Sequence, residues 1–342
     1  MNIIVLTGGV SSERNVSIVS SKAIAKGLRE SGHNVKVIDP IYGAKQPPED
    51  EIFNSRPAIG KEFPTAEELK AYSNRNVIEC INSDLFDNTD IVFLGLHGKF
   101  GEDGRIQSLL EMRGVSYTGS RVTSSAMAMD KDISKIMFKH FGIPTPDWFM
   151  VEKNSYSLNH VDEKINAYFD YPIVIKPNDE GSTVGLSIVQ PDVEDVQLAN
   201  AVEHAFEYSG RIMIEQYIAG RELTVAVLGE EALPVVEIKP KDGFYDYEHK
   251  YTSGKTEYFC PADLPDELSN EMRIKALLAH HSLCCRAYSR VDFRLNSKNE
   301  FYCLEVNTLP GMTELSLVPK AAQALNISFP ELLNKIIELS LK

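Results

Sequence analysis

The 342-residue chain lacks the features that mark several common classes of protein. It has no basic excess, because 35 Lys and Arg stand against 49 Asp and Glu, a formal charge of −14, so neither nucleic acid nor an anionic membrane is an expected partner. No apolar run approaches the ~20 residues of a membrane span. The N-terminal run MNIIVLTGG lacks the basic flank and cleavage site of a signal peptide. The five cysteines form no C-x-x-C pair, so no zinc site or disulfide framework is predicted, and a reduced, cytoplasmic protein is favoured.

Two further absences narrow the class of enzyme. The first strand is not followed by G-x-G-x-x-G, which argues against a nicotinamide-dependent enzyme. No Ser-His-Asp or Cys-His arrangement is evident, so covalent nucleophilic catalysis has no support. The length exceeds the size at which a single hydrophobic core stops growing, and two or three domains are therefore expected.

The first part of the chain has the pattern of a parallel α/β fold. Its predicted elements are a strand at 2–6, a helix at 16–31 and strands at 34–39 and 91–96. The proline-containing segment 43–64 predicts an irregular surface excursion, and Thr65 with Glu68 predicts the capping box of a short helix. After Ser120 the pattern changes, and a third region begins near Arg211. From Ser120 onward the predicted elements are helices at 124–129, 132–141 and 266–284, strands at 148–151, 172–176 and 186–189, and, in the third region, longer alternating strands and a hairpin.

The hairpin near the C-terminus is predicted to place polar side chains on one face. Arg290 and Asp292 alternate with apolar residues, as do Glu305 and Asn307 on the returning strand. A tight turn puts Asp292 roughly opposite Glu305, with Cβ atoms ~5 Å apart. Facing carboxylates repel unless a cation lies between them, and Asp, Glu and Asn oxygens suit Mg²⁺. The alternative is a solvated face on which Arg290 neutralises the acids.

A second candidate is the run IKPNDEGSTVG at 175–185, where a loop of small residues follows a buried strand. Its glycines allow backbone N–H groups to converge on phosphate oxygens, and Lys176 adds positive charge. The run is not G-x-x-x-x-G-K-[ST], so a P-loop is not supported. A nucleotide-binding loop and an ordinary turn both fit the pattern.

The run FYDYEHKYTSG at 244–254 holds four aromatic residues but has no helical or strand period. Long loops in compact domains are usually lids, binding loops or disordered segments, and disordered segments are poor in aromatics. A lid that carries Lys250 and Tyr251 is predicted to close over an anionic substrate. This feature favours an enzyme.

Three single residues complete the candidates. Glu13 stands at the start of the first helix, and His97 at the carboxyl end of a strand, where open α/β sheets bind ligands. Ser316 is predicted as the N-cap of a helix with Pro319 in its first turn, and such a helix start can bind a carboxylate. Each pattern also occurs without a ligand, as dipole complementation, packing or a hydrated helix end.

In their order along the chain, nine runs resemble the D-alanine–D-alanine ligases of the ATP-grasp superfamily. The runs are LTGGVSSERNVSIVS, LHGKFGEDGRIQSLLE, YTGS, AMAMDKDISK, VIKPNDEGSTVG, EQYIAGRELTVAVLG, FYDYEHKYTSGKTEYFCPA, SRVDF and LEVNTLPGMTELSLVP. They extend from Met1 to Pro319, and the stretch 43–88 matches least. Any one run is a weak signal, but nine in register are specific.

The resemblance implies an α/β fold, α+β in its C-terminal part, with a three-domain ATP-grasp architecture and an N-terminal parallel α/β domain. The expected domains are a substrate-binding domain at 1–121, a central ATP-grasp subdomain at 122–212 and a C-terminal ATP-grasp subdomain at 213–342, with the lid at 242–256. The implied reaction is ATP-driven condensation of two D-alanines to D-alanyl-D-alanine, a peptidoglycan precursor, through an acyl phosphate. Such chemistry needs positioning and charge neutralisation rather than a covalent nucleophile. A homodimer is also implied.

The resemblance assigns nucleotide and metal contacts residue by residue. Lys131 and Lys176 are expected to hold the α- and β-phosphates, and Lys250 the γ-phosphate. The residues implied to edge the adenine are Glu215, Gln216, Tyr217 and Ile218. Glu222 is implied to bind the ribose. The ligands implied for two Mg²⁺ ions, or Mn²⁺, are Asp292, Glu305 and Asn307. Position 216 is glutamine here, whereas a lysine is common in the family. If the adenine contacts at this position are made by the backbone, the change puts little of the nucleotide assignment in doubt.

The resemblance also implies the contacts of the first amino acid. Glu13 is expected to pair with its ammonium group, aided by His97. Ser182 and Tyr251 are expected to hydrogen-bond with Glu13 and so to latch the lid. Tyr251 bears on specificity as well, because relatives that form D-lactate esters generally depart from the EHKY pattern. D-alanine is therefore favoured over D-lactate as second substrate.

At the reacting carbon, the resemblance implies that Arg290 and the Gly311 N–H stabilise the tetrahedral oxyanion. Ser316, Leu317 and Arg290 are expected to bind the carboxylate of the second amino acid. The alternatives are a ligase that uses D-lactate or D-serine, another ATP-grasp carboxylate–amine ligase, and a non-catalytic nucleotide-binding module. Retention of all three implied metal ligands disfavours the module.

Overall fold

A computed structural model describes residues 1–55, 72–191, 195–241 and 256–342. Within these ranges the chain forms three β-sheets, one of them parallel and two antiparallel. The helix expected from Thr65 lies outside the described residues, as do Lys250 and Tyr251 of the expected lid. None of the helices in the described ranges is long and apolar enough to cross a membrane.

The N-terminal region contains the parallel sheet, in the order β2-β1-β3. Its strands are β1 (Asn2–Leu6), β2 (Asn34–Ile38) and β3 (Ile91–Leu94), and its helices are α1 (Arg14–Glu30), α2 (Glu49–Asn54), α3 (Asn74–Asn82) and α4 (Arg105–Arg113). Short 3₁₀ turns occupy Pro40–Tyr42 and Asp84–Phe86. Strands β1 and β3 are almost wholly buried, as expected for a parallel sheet covered on both faces. The predicted parallel α/β opening is confirmed.

One prediction for this region is wrong in part. The segment 43–64 was expected to be irregular, but it contains helix α2, which begins after Pro48. Glu49, Asp50 and Glu51 fill the first turn, where negative charge complements the helix dipole. Ile52 packs into the core of the parallel sheet. Residues 56–64 lie outside the described ranges.

The second sheet is antiparallel, in the order β4-β7-β5-β6. Its strands are β4 (Trp148–Glu152), β5 (Ile173–Pro177), β6 (Ser187–Val189) and β7 (Arg211–Gln216), and its helices are α7 (Leu158–Tyr168) and α8 (Asp195–Phe206). The boundary predicted between residues 212 and 213 falls inside β7. A division that keeps this sheet whole therefore lies after Gln216, and the division into domains stays a prediction.

Two helices of the middle of the chain pack elsewhere. Helices α5 (Val122–Met129) and α6 (Lys131–His140) precede the second sheet in sequence. Ala128 and Phe138 nevertheless join the core of the third sheet, together with Phe293 and Cys303. The predicted helices are thus present, but they brace the C-terminal sheet instead of covering the central one.

The third sheet is antiparallel, in the order β11-β10-β8-β12-β13, with β9 beside β8. Its strands are β8 (Arg221–Leu228), β9 (Glu231–Ala232), β10 (Val236–Pro240), β11 (Thr256–Phe259), β12 (Tyr288–Leu295) and β13 (Phe301–Asn307). The helices of this part are α9 (Asp266–Ser282), α10 (Leu317–Gln323) and α11 (Phe329–Ser340). Leu333 and Ile336 of α11 pack into the core of the N-terminal region beside Leu28. The last helix therefore ties the end of the chain to its beginning.

A buried ion pair fixes the turn after β1. Arg14 and Asp39 form a salt bridge with side chains 1% and 0% exposed. Arg14 also donates to the Gly9 carbonyl at 3.1 Å, and Asp39 accepts from the Gly9 N–H at 3.1 Å. Gly8 has φ +69° and its missing Cβ would overlap both charged groups, so the turn requires glycine there. The pair holds the loop that leads to Glu13.

We expect Arg14→Met to lower the free energy of unfolding by about 3–5 kcal/mol, because it leaves Asp39 buried without its cation. Urea unfolding followed by far-UV circular dichroism measures the change. The matched control is Lys139→Met, which removes an ion pair with Asp147 whose side chains are 53% and 67% exposed. Loss of that pair should cost less than ~1 kcal/mol. Equal losses in the two variants would contradict the assignment.

Candidate active site

The three sheets meet around a cavity of about 960 Å³. The sequence-predicted residues that line it are Glu13, His97, Ser182, Glu222, Arg290, Asp292, Glu305, Asn307, Gly311, Ser316 and Leu317. A smaller cavity of about 100 Å³ adjoins it. The predicted residues on its walls are Lys131, Lys176, Ser182, Glu222, Asp292 and Glu305. Residues from distant parts of the sequence thus converge on one place.

The hairpin of β12 and β13 brings the two predicted carboxylates together. Asp292 pairs in register with Glu305, as the alternation predicted, and a bulge follows Asp292. Arg290 donates two hydrogen bonds to Asp292, at 2.9 and 2.8 Å, and the Asn307 amide donates a third at 3.0 Å. The predicted juxtaposition is confirmed. The neutralising arginine of the alternative interpretation is present as well.

Thr224 is a member of this cluster that sequence reasoning missed. Its hydroxyl lies 2.6 Å from Asp292 Oδ1 and 3.1 Å from the Val291 carbonyl. It is 1% exposed on β8, and the register of β8 against β12 places it directly beside Asp292. The sequence alone could not place Thr224 there, because it does not say which strand pairs with β12.

The donor set of the hairpin fits a hard divalent cation. Asp292, Glu305 and Asn307 offer carboxylate and amide oxygens, the ligands that Mg²⁺ prefers. Their excess negative charge is balanced by Arg290 and by Lys131, whose Nζ lies 3.3 Å from Glu305 Oε2. Among the described residues, no group of three His, Cys, Asp or Glu forms a metal cluster. The candidate set has two carboxylates and an amide, and its role stays a prediction.

Both predicted phosphate-binding lysines line the smaller cavity. Lys131 donates to the Glu180 carbonyl at 2.6 Å, and Lys176 donates to Glu215 Oε2 at 2.7 Å. A third lysine, Lys135, lies 2.7 Å from Glu215 Oε1 and was missed because nothing in a helical run distinguishes a buried lysine from a surface one. Burial lowers the pKa of Lys135 to about 8.

Glu215 therefore forms ion pairs with two lysines, Lys135 and Lys176. It is 3% exposed. Although burial acts to raise its pKa, Lys135 and Lys176 lower it below the usual value, so the carboxylate is charged. Two cations share one anion here, which leaves positive charge near the cavity for a phosphate. The carboxylate itself is occupied, so any contact of this residue with adenine would be made by its backbone.

The other residues predicted to meet the nucleoside are joined by Arg294. Its guanidinium donates to the Ile218 carbonyl at 3.1 Å and to Glu222 at 3.3 Å, and it lies 5.8 Å from the Tyr217 ring centroid. Gln216 is exposed at the end of β7. The four residues predicted to edge the adenine line neither of the two cavities, and their role stays a prediction.

At the N-terminal side of the large cavity, Glu13 meets the small-residue loop. The Ser182 hydroxyl donates to Glu13 Oε1, the contact that the resemblance implied. Gly181 approaches so closely that a Cβ there would lie 2.8 Å from Glu13 Oε2. A side chain at position 181 would therefore displace the Glu13 carboxylate from its contact with Ser182.

His97 is buried, and both of its ring nitrogens are engaged. Nδ1 donates to the Leu309 carbonyl at 2.8 Å, and the Ser20 hydroxyl lies 3.1 Å from Nε2. Burial lowers the pKa of His97 to about 4, so the ring is neutral near pH 7. His97 therefore links the end of β3 to the segment that follows β13. Assistance to Glu13 stays a prediction.

Glu102, a half-buried acid on the wall of the large cavity, is a further residue that sequence reasoning missed. It accepts from the Gly98 N–H at 3.0 Å and from the Leu309 N–H at 3.1 Å. Burial, with Glu13 adding to it, raises its pKa to about 8. The only signal was its place in the turn GEDG, which does not distinguish a buried acid from a solvated one.

The predicted helix start at Ser316 is confirmed as the N-cap of α10. The Ser316 hydroxyl does not cap its own helix, but accepts from the Thr313 N–H at 3.0 Å. Gly311 and Leu317 line the same part of the cavity. Uncapped N–H groups at a helix start suit a carboxylate, and that role stays a prediction.

Comparison with known proteins agrees with this arrangement. Two family models cover most of the chain: D-ala D-ala ligase N-terminus matches residues 2–120, and D-ala D-ala ligase C-terminus matches residues 137–338. A D-alanine–D-alanine ligase of Syntrophotalea carbinolica is 40% identical over 336 residues, which is 98% of this chain and 94% of that protein.

Solved structures agree as well. The D-alanine–D-alanine ligase of Bacillus anthracis complexed with ATP superposes with a TM-score of 0.75 and 32% identity, covering 100% of this chain and 97% of that one. The VanG D-Ala:D-Ser ligase of Enterococcus faecalis has a TM-score of 0.79 and 29% identity, covering 99% of both chains. The predicted ATP-grasp fold class is confirmed. The chain belongs to the D-alanine–D-alanine ligase family.

We expect Glu102→Gln to change how stability depends on pH. The raised pKa means that the folded protein favours the protonated acid, so wild-type stability is lost as pH rises from the usual 4.5 to about 8. The amide cannot ionise and escapes that loss. Chemical denaturation across this interval should show the difference in unfolding free energy moving steadily in favour of the variant. Glu231→Gln, at an exposed site on β9, controls for loss of a carboxylate. Parallel profiles for wild type and Glu102→Gln would refute the assignment.

Proposed function

We propose that the chain joins two molecules of D-alanine to D-alanyl-D-alanine, with cleavage of ATP to ADP and phosphate, in the synthesis of a cell-wall precursor. The family match over the full chain supports this reaction. The observation that carries it is the convergence of Glu13, Arg290 and the Asp292–Glu305 pair on one cavity. That arrangement provides an anion for an ammonium group, a cation for an oxyanion and oxygen ligands for a metal.

The reaction proceeds in two steps. A carboxylate oxygen of the first D-alanine attacks the γ-phosphorus of ATP, and the bond to ADP breaks. The amine of the second D-alanine then attacks the acyl carbon, and phosphate leaves. Both steps need charge neutralisation and alignment rather than a nucleophilic side chain.

The chain's own residues supply the alignment. Glu13, fixed by Ser182, binds the ammonium group of the first D-alanine. Arg290 and the Gly311 N–H face the oxyanion, and the start of α10 at Ser316 and Leu317 receives the carboxylate of the second substrate. Tyr251 of the lid completes the contact with Glu13.

The nucleotide phosphates are assigned to the smaller cavity, which Lys131 and Lys176 line. Lys131 and Lys176 bind the α- and β-phosphates, and Lys250 reaches the γ-phosphate. Asp292, Glu305 and Asn307 would hold two Mg²⁺ or Mn²⁺ ions, which neutralise the phosphate charge when bound. The strand end from Glu215 to Ile218 edges the adenine, and Glu222 binds the ribose. The composition supports a cytoplasmic location, and the family resemblance supports a homodimer.

Phosphate release tests the reaction directly. We expect release from ATP only when both D-alanine and Mg²⁺ are present, with D-alanyl-D-alanine as the product by mass spectrometry. Competition with D-serine and D-lactate identifies the second substrate, since one structural neighbour is a D-Ala:D-Ser ligase. Equal release with L-alanine, or none with D-alanine, would overturn the proposal.

We expect Arg290→Ala to lower kcat by ~10²-fold or more, because it removes a donor to the oxyanion. The matched control is Arg221→Ala on the neighbouring strand β8, where Arg221 pairs with Glu237 and lines neither cavity. Steady-state kinetics with saturating D-alanine measure both variants. An effect below a few-fold for Arg290→Ala would remove it from the catalytic role.

A further inference from the structure

The loop at 179–185, here called the Ser182 loop, has an unusual backbone. Ser182 has φ +50° and Thr183 has φ +62°, so two consecutive residues with side chains lie in the left-handed region. Such conformations persist only where the surroundings determine them. The Ser182 loop borders both cavities and carries the hydroxyl that binds Glu13. Contacts from outside the loop must therefore hold it in shape.

Two lysines hold the loop at Glu180 from different directions. Lys131 donates to the Glu180 carbonyl at 2.6 Å. Lys99, which follows His97 and Gly98 after β3, places its Nζ 2.6 Å from Glu180 Oε1 and 3.4 Å from Asp179 Oδ2. The same ammonium group donates to the Tyr208 carbonyl at 3.1 Å, just beyond α8. Lys99 of the N-terminal region thus links the Ser182 loop to the residues that follow α8.

The Lys99–Glu180 pair is protected from water. The side chain of Glu180 is 8% exposed and that of Lys99 is 29% exposed. Burial raises the pKa of Glu180 while Lys99 acts to lower it, and the pKa of Lys99 is itself raised by its acidic partners despite burial. Removal of Lys99 would be costly, because the Glu180 carboxylate would remain buried without compensation.

We infer that Lys99 is a positioning residue, which holds the Ser182 loop against Glu13 and so couples the site of the first amino acid to the site of the nucleotide phosphates. Lys99 lines neither cavity and is not expected to touch either substrate. It acts through Glu180, whose carbonyl orients Lys131, and through the adjacent residues that present Ser182 to Glu13. This inference rests on the proposed function for its catalytic consequence, but not for its structural one.

The structural consequence is tested without turnover. Hydrogen–deuterium exchange of the full chain, without ligands, reports on the backbone amides of residues 178–186. We expect Lys99→Met to speed exchange there. The matched control is Lys153→Met, which removes a lysine bond to the Phe206 carbonyl on the same helix but no contact with the loop. Unchanged exchange in Lys99→Met, or an equal change in Lys153→Met, would overturn the inference.

The catalytic consequence is tested by kinetics on the same variants. We expect Lys99→Met to lower kcat/KM for ATP by ~10-fold or more, since small displacements of binding groups are costly. Lys99→Arg, which keeps the charge, should recover most of the loss. Glu180→Gln keeps the bond from Lys99 to Tyr208, and the double variant with Lys99→Met should be little worse than either single variant. Full additivity would show that the two residues act separately and would refute the coupling.

These outcomes separate the two proposals. Absence of any D-alanine-dependent phosphate release in the wild type would refute the proposed function. The exchange experiment would still decide whether Lys99 holds the Ser182 loop. Normal wild-type turnover with unchanged exchange in Lys99→Met would leave the function standing and refute the role of Lys99.

Discussion

Carboxylates that leave water need compensating cations or hydrogen-bond donors, and such carboxylates lie on or close to the two adjoining cavities. Glu215 is balanced by Lys135 and Lys176, and Asp292 by Arg290 together with two neutral donors. The formal charge of the whole chain is −14. These acids nevertheless gather cations beside the place that the proposed function assigns to the triphosphate, so local pairing outweighs the net charge.

This pairing also explains how a site can be assembled before its ligands arrive. Arg290 lies on Asp292, and Lys131 lies beside Glu305. In the proposed reaction Arg290 faces an oxyanion and Lys131 a phosphate. They can do so without leaving two carboxylates uncompensated only if other cations balance the hairpin, which is the charge that divalent ions bring. In the proposed reaction, the ion pairs within the chain and the contacts to ligands are therefore alternatives.

The sequence predicted those parts of the site that depend on a local period. Alternation along β12 and β13 placed Asp292 opposite Glu305, and the helix start at Ser316 followed from a capping pattern. It failed where the partner lies on another element: Thr224 depends on which strand pairs with β12, and Glu102 on the segment after β13. Burial of an acid or a lysine is decided by such distant neighbours. Helix α2 was missed because prolines dominated the local pattern, although the acids after Pro48 favour a helix.

The peptide of Leu309 shows how the N-terminal region reaches the chemistry of the C-terminal one. Its carbonyl accepts a hydrogen bond from His97, and its N–H donates one to Glu102. Two residues that follow β3 therefore fix the backbone of Leu309, which lies two positions before Gly311. Burial lowers the pKa of His97 to about 4, so the ring is neutral near neutral pH while both of its nitrogens are hydrogen-bonded. A histidine at this place therefore works by geometry. That agrees with a reaction in which alignment and fixed charge, rather than proton transfer by a side chain, lower the barrier.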